Sequence, residues 1–153
     1  MPDPQKNHDA SKKDLEAVDI NVEVISKPWN GGYLDDASAG NYDAWLLGWT
    51  GDYNAADNFL GTFFSNLESN DFQTSVYPWG KQLSDDLKAA DAIVDEAERK
   101  AAYETINKQI AEEYIPGLPI SHSPPALVTS AAVEGLVASP LTAEMFDTVT
   151  VKK

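Results

Sequence analysis

The sequence predicts an α/β fold: a small, mainly parallel sheet with flanking helices, followed by a strand-rich C-terminal tail. Three observations carry that expectation. Residues 19–26 alternate polar and apolar side chains (Ile20, Val22 and Val24 against Asp19, Asn21 and Glu23), the pattern of a half-buried strand. Residues 42–49 read as a second strand, nearly continuous apolar over 44–49, the pattern of a strand covered on both faces and therefore central in a sheet. Between them Tyr33, Leu34 and Ala37 fall at helical spacing. Strand, helix, strand in that order predicts a parallel βαβ unit with a right-handed crossover.

The remaining elements follow along the chain. Residues 7–18 end a helix, with Leu15 and Val18 on one face and lysines on the other. Pro28 ends the first strand, and Gly40 stops the short helix, because a left-handed cap is easiest for glycine. A polar loop over 50–57 leads into a short helix over 58–64, expected to be capped by Asp57. Residues 65–75 are polar and irregular. Pro78 suits the first turn of a helix that runs through Leu83, Leu87 and Ala90. Asp95 and Glu98 fit a capping box, and Tyr103, Ile106, Ile110 and Tyr114 then form one apolar stripe until Pro116. Short strands are expected over 133–137 and 146–151. From about Pro124 the tail has few helix signals and no partner strands of its own, as if it completed something else. The expected division is therefore a body over 1–123 and a tail over 124–153.

Composition removes function classes. A length of 153 residues allows one core. The net charge of -14, from 25 acidic against 11 basic residues, repels phosphate backbones and anionic lipid, so no nucleic-acid partner is expected. The absence of cysteine excludes disulfides, thiolate metal sites and cysteine nucleophiles. His8 and His122 are the only histidines, too few for a histidine-rich metal site, and no metal or cofactor is expected. No apolar run approaches the roughly 18 residues that span a bilayer, and residues 1–7 lack the basic-then-apolar order of a signal peptide.

One stretch resembles a known family. Residues 45–54, from Trp45 through Gly48, Trp49, Thr50, Gly51 and Asp52 to Asn54, followed by Asp57, Asn58, Phe59 and Leu60, are similar to a signature of the peptide-binding proteins of ABC importers. Further stretches resemble the same dipeptide and oligopeptide type in the same order. They are Pro28 to Gly40, Asp95 to Tyr103, Leu118 to His122, and Phe146 to Val149. The resemblance covers the chain from about Lys13 to its end. It implies a C-terminal piece of a longer, two-lobed protein of the periplasmic binding type: most of one lobe's second half, and a tail that returns to the other lobe. It further implies a monomeric extracytoplasmic protein, lipid-anchored in full-length form, that delivers a peptide or another small solute to a membrane permease without catalysis.

Asp52 is the sharpest site candidate. The resemblance implies that this acid holds a peptide's α-ammonium, and charge-assisted pairs are stronger than neutral hydrogen bonds. Ligands of open α/β sheets sit beyond the carboxyl ends of strands, where Asp52 is expected; the plainer reading is an exposed turn residue after Gly51. Trp49 would wall the ligand cleft, while Trp45 is expected in the core. Thr50 and Gly51 would offer backbone groups to an extended peptide.

Other candidates read more plainly. The pairs Asp35/Asp36 and Asp85/Asp86 are expected on solvated helix faces, since adjacent helical residues do not face each other. Asp52 with Asp57 offers too few oxygens for a calcium loop. His122 is expected to be structural, because no Gly-x-Ser-x-Gly elbow accompanies it. Arg99, the only arginine, is expected to pair with neighbouring acids. Two other functions stay open at this point: a small hydrolase using Asp52 and His122, and an interaction module that binds no small ligand.

Overall fold

A computed structural model of the chain describes residues 4–68 and 72–152. The chain forms two compact units. One takes the residues up to Leu47 together with Ile120–Ser123; the other takes Gly48–Pro119 and the chain from Pro124 onward.

In the first unit, helix α1 (Pro4–Glu16) starts before residue 7, as a helix ending over 7–18 requires, but it stops at Glu16, so Val18 lies in the turn beyond it and not on the helical face of Leu15. Lys12 pairs with Glu16 one turn on, and its Nζ also donates to the Val22 carbonyl at 2.6 Å. Residues 20–28 carry no ladder. The strand expected over 19–26 is thus not formed among the described residues, because alternation supplies a face but not a hydrogen-bonding neighbour. A kinked turn, Trp29–Tyr33, runs into α2 (Leu34–Ser38), which buries Ala37. Gly40 follows at φ 72°, the left-handed stop its position predicts.

Residues 42–49 also form no ladder. A side chain takes part of the role of a neighbouring strand: the Tyr33 hydroxyl accepts from the Leu46 amide at 2.9 Å and donates to the Leu46 carbonyl at 2.7 Å. Both backbone groups of Leu46 are satisfied without a sheet. The expected parallel pair is therefore absent from the described residues.

The second unit holds the main core. Phe64 of α3 (Thr62–Phe64) is buried with Leu83, Leu87 and Ala90 of α4 (Gly80–Asp91) and Tyr103 and Ile106 of α5 (Glu96–Gln109). The steps of 4 and 3 along α4 and of 3 along α5 put these residues on facing stripes, as the periodicity predicts. Ile110 and Tyr114 pack against the same core from the wider turn Ile110–Tyr114 that continues α5. Ile115 then takes φ 45°, and the helix ends before Pro116. The Asp95 carboxylate accepts from the Glu98 amide at 2.9 Å, which is the expected cap.

Two expected helix starts shift. Pro78 precedes the N-cap, Trp79, instead of lying in the first turn. Asp57 lies inside a turn (Asp57–Gly61) that starts from Ala56, so its carboxylate caps nothing and accepts from the Tyr53 hydroxyl instead. Residues 69–71 of the expected irregular stretch lie outside the described residues.

The tail does contain partner strands. β1 (Val133–Glu134) and β2 (Thr150–Val151) pair antiparallel, Val133 opposite Val151 and Glu134 opposite Thr150. This two-stranded sheet is the one sheet among the described residues. Both strands fall where the sequence places them, each shortened to two residues. No described helix is long and apolar enough to cross a membrane.

Candidate functional site

The loop at 49–52 is held from below by one buried side chain. Asn58 is 4% exposed, and its Oδ1 accepts from the Trp49 indole Nε1 and from the Asp52 amide, each at 3.0 Å. A single acceptor thus ties both ends of Trp49-Thr50-Gly51-Asp52. Asn58 is itself anchored by helical geometry. Its amide donates to the Ala55 carbonyl at 3.2 Å, and its carbonyl accepts from the Thr62 hydroxyl at 2.7 Å.

Gly51 is buried between these groups. A Cβ there would come within 2.6 Å of the Phe59 ring and 3.3 Å of Asn58 Oδ1, so any other residue would push the ring aside. The Gly51 carbonyl accepts from the Thr142 amide at 3.0 Å. Asp52 is exposed; its Oδ1 accepts from the Thr142 hydroxyl at 2.9 Å, and Oδ2 has no partner among the described residues. Trp49 is 44% exposed and sets its ring edge-to-face on Phe63, with centroids 5.7 Å apart. Thr50 is exposed. The chemistry on offer is one open carboxylate oxygen on the same pinned loop as a part-exposed indole, suited to a small cationic group on a ligand that also carries an apolar one.

Residues 2–71 match the family of bacterial extracellular solute-binding proteins, family 5 Middle. Beyond it, the chain is 34% identical over 134 residues to a dipeptide-binding protein of Pseudomonas aeruginosa, covering 87% of this chain and 24% of that protein. It is 29% identical over 153 residues to the dipeptide-binding protein of Escherichia coli, covering 99% of this chain and 28% of that one. The periplasmic oligopeptide-binding protein OppA of Haemophilus influenzae is 30% identical over 95 residues, 62% of this chain and 17% of its own length. The chain thus spans about a quarter of the length of the dipeptide-binding relatives, 24% and 28%.

The other candidates fall elsewhere. Trp45 is half-buried, not part of the fully buried core. Asp57 does not join Asp52 in a cation site: Tyr53 donates to it, and the described residues hold no group of acids and histidines arranged for a metal. That hydrogen bond to Asp57 also raises the Tyr53 pKa above its ordinary value. His122 is exposed and belongs to the first unit, whereas Asp52 belongs to the second. An exposed imidazole is not the packed structural residue expected. Arg99 makes no ion pair among the described residues, and the neighbouring Asp95 carboxylate accepts from the Glu98 amide. Asp85 pairs with Lys81, as a solvated face permits.

Asp36 is less solvated than its helix position implies. It gathers Lys27, the Asn41 amide group at 3.1 Å and the Tyr42 hydroxyl at 3.1 Å. The Lys27 bond, then those from Asn41 and Tyr42, hold its carboxyl below the ordinary value.

Sequence reasoning missed Asn58 and Thr142 as site residues. Asn58 carried a readable signal, a polar residue leading an apolar helical run. Thr142 carried none.

Proposed function

We propose that this chain is a ligand-binding segment of an extracytoplasmic solute-binding protein that captures peptides for an ABC-type importer. The observation that carries the reading is the Asp52 carboxylate, with one open oxygen, on a loop pinned by buried Asn58 that also holds part-exposed Trp49. The similarity to proteins named for dipeptides and oligopeptides supports it. Asp52 receives the peptide's α-ammonium, Trp49 walls the first side chain, and Thr50 and Gly51 present backbone groups to the extended main chain. Capture needs no catalysis, cofactor or metal. The protein works as a monomer at the periplasm or cell surface, lipid-anchored, and hands its ligand to a membrane permease.

In this reading the chain contributes to one lobe of a two-lobed protein, and residues from about 124 return to the other lobe. The segments over 19–26 and 42–49 gain their parallel sheet neighbours there. Alone, half an enclosure leaves the ligand hydrated, and its affinity falls roughly a thousandfold or more.

Asp52→Asn in the intact binding protein tests the site. Removing a desolvated partner of an ammonium costs about 2–5 kcal/mol of binding, against about 0.5 kcal/mol of stability for an exposed turn residue. Calorimetry with Ala-Ala should show the large loss and a nearly unchanged melting temperature. Binding within a few-fold of native, with clearly lowered melting, would make Asp52 a turn residue only.

A further inference from the structure

Thr142 is separated from Asp52 by 90 residues and grips the loop at two points. Its amide donates to the Gly51 carbonyl at 3.0 Å, and its hydroxyl donates to Asp52 Oδ1 at 2.9 Å. The first contact fixes where the Thr142 backbone lies. Branching at Cβ leaves threonine few χ1 rotamers, so the hydroxyl is aimed by the backbone contact instead of searching for its acceptor. Independently, Asn58 Oδ1 accepts from the Asp52 amide at 3.0 Å.

Asp52 is therefore restrained at two places that matter differently. Asn58 sets its backbone; Thr142 sets the rotation of its carboxylate. With Oδ1 taken, Oδ2 is the oxygen without a partner among the described residues. An aspartate in an open loop would otherwise sample several rotamers, and a ligand would have to order it on binding.

We propose that Thr142 is a positioning residue for the ligand-binding carboxylate: it occupies Asp52 Oδ1 and presents Oδ2 to the incoming ammonium. This inference rests on the reading of Asp52 as the ammonium-binding group. The occupant of Oδ2 is a primary ammonium on an extended backbone, and its binding is sensitive to the hydroxyl of Thr142, not merely to the bulk of residue 142.

Four variants in the intact binding protein, Asp52→Asn among them, are titrated calorimetrically with Ala-Ala to test this. Thr142→Val keeps the shape and the amide contact and removes only the hydroxyl; it should weaken Ala-Ala binding about tenfold. Thr142→Ser restores the donor and should bind within about threefold of native. In an Asp52→Asn background, Thr142→Val should cause no further loss, because the group it positions is no longer charged. Native-like affinity of Thr142→Val, alongside a large loss in Asp52→Asn, would overturn the role of Thr142 and leave that of Asp52 intact. Tighter binding by Thr142→Val would also overturn it, since Thr142 would then compete with the ligand. Undiminished binding by Asp52→Asn would instead refute the ammonium reading itself.

Discussion

Replacing Asn58 with alanine removes the one acceptor that joins Trp49 to Asp52, and its consequences can be worked from the geometry. Two hydrogen bonds of 3.0 Å are lost at once. Both bonds are part-buried and belong to residues with exposed surface, Trp49 at 44% and Asp52. The full penalty for an orphaned buried group therefore does not apply, and each bond counts at its net value of about 1 kcal/mol. The site of the lost carboxamide, 4% exposed, adds a small packing defect. The expected destabilisation is about 2 kcal/mol, or a fall of about 8 °C in melting temperature for a unit of this size. Thermal unfolding by near-ultraviolet circular dichroism reads the magnitude, and the indole N–H exchange rate of Trp49 reads the mechanism. The rate should rise as the N–H turns to solvent. A melting temperature within about 1 °C of native, with unchanged indole exchange, would refute the idea that Asn58 holds the loop.

Three further outcomes follow from the same structure. Leu87, which is 0% exposed at the centre of the core, should cost about 2–5 kcal/mol when replaced by alanine, measured by urea unfolding; a loss under 1 kcal/mol would mean the α4–α5 packing is misassigned. Asp95→Ala removes the cap of α5 and should cost about 1 kcal/mol, whereas Asp95→Ser should recover most of it in the same assay. The contacts around Asp36 depend on pH in a direction fixed by its lowered pKa: their contribution is present above the ordinary value of 3.8 and is lost as pH falls below it through the folded value. A carbon-detected NMR titration should place the Asp36 carboxyl below 3.8, and titration at or above that value would disprove the Lys27 pairing in solution.

What the sequence determined by itself is the part of the protein made by near neighbours. The stripe of Leu83, Leu87 and Ala90, the Asp95–Glu98 cap, and the stop at Gly40 involve residues no more than a few positions apart. Their hydrogen bonds and faces close within one or two turns, so spacing alone specifies them. The site residues at 49–52 were singled out by a resemblance and not by spacing, because pattern alone favoured a plain turn at Asp52. Tertiary structure decided everything that needs a distant partner. Residues 19–26 and 42–49 have the composition of strands, but a strand is defined by the neighbour that accepts and donates along it. At Leu46 the neighbour is the Tyr33 hydroxyl. Asp57 looked like a cap and became an acceptor for Tyr53, because the helical turn began one residue earlier. Thr142 shows the limit most clearly. No local pattern marks it, and only the fold carries its hydroxyl across 90 residues to the Asp52 carboxylate.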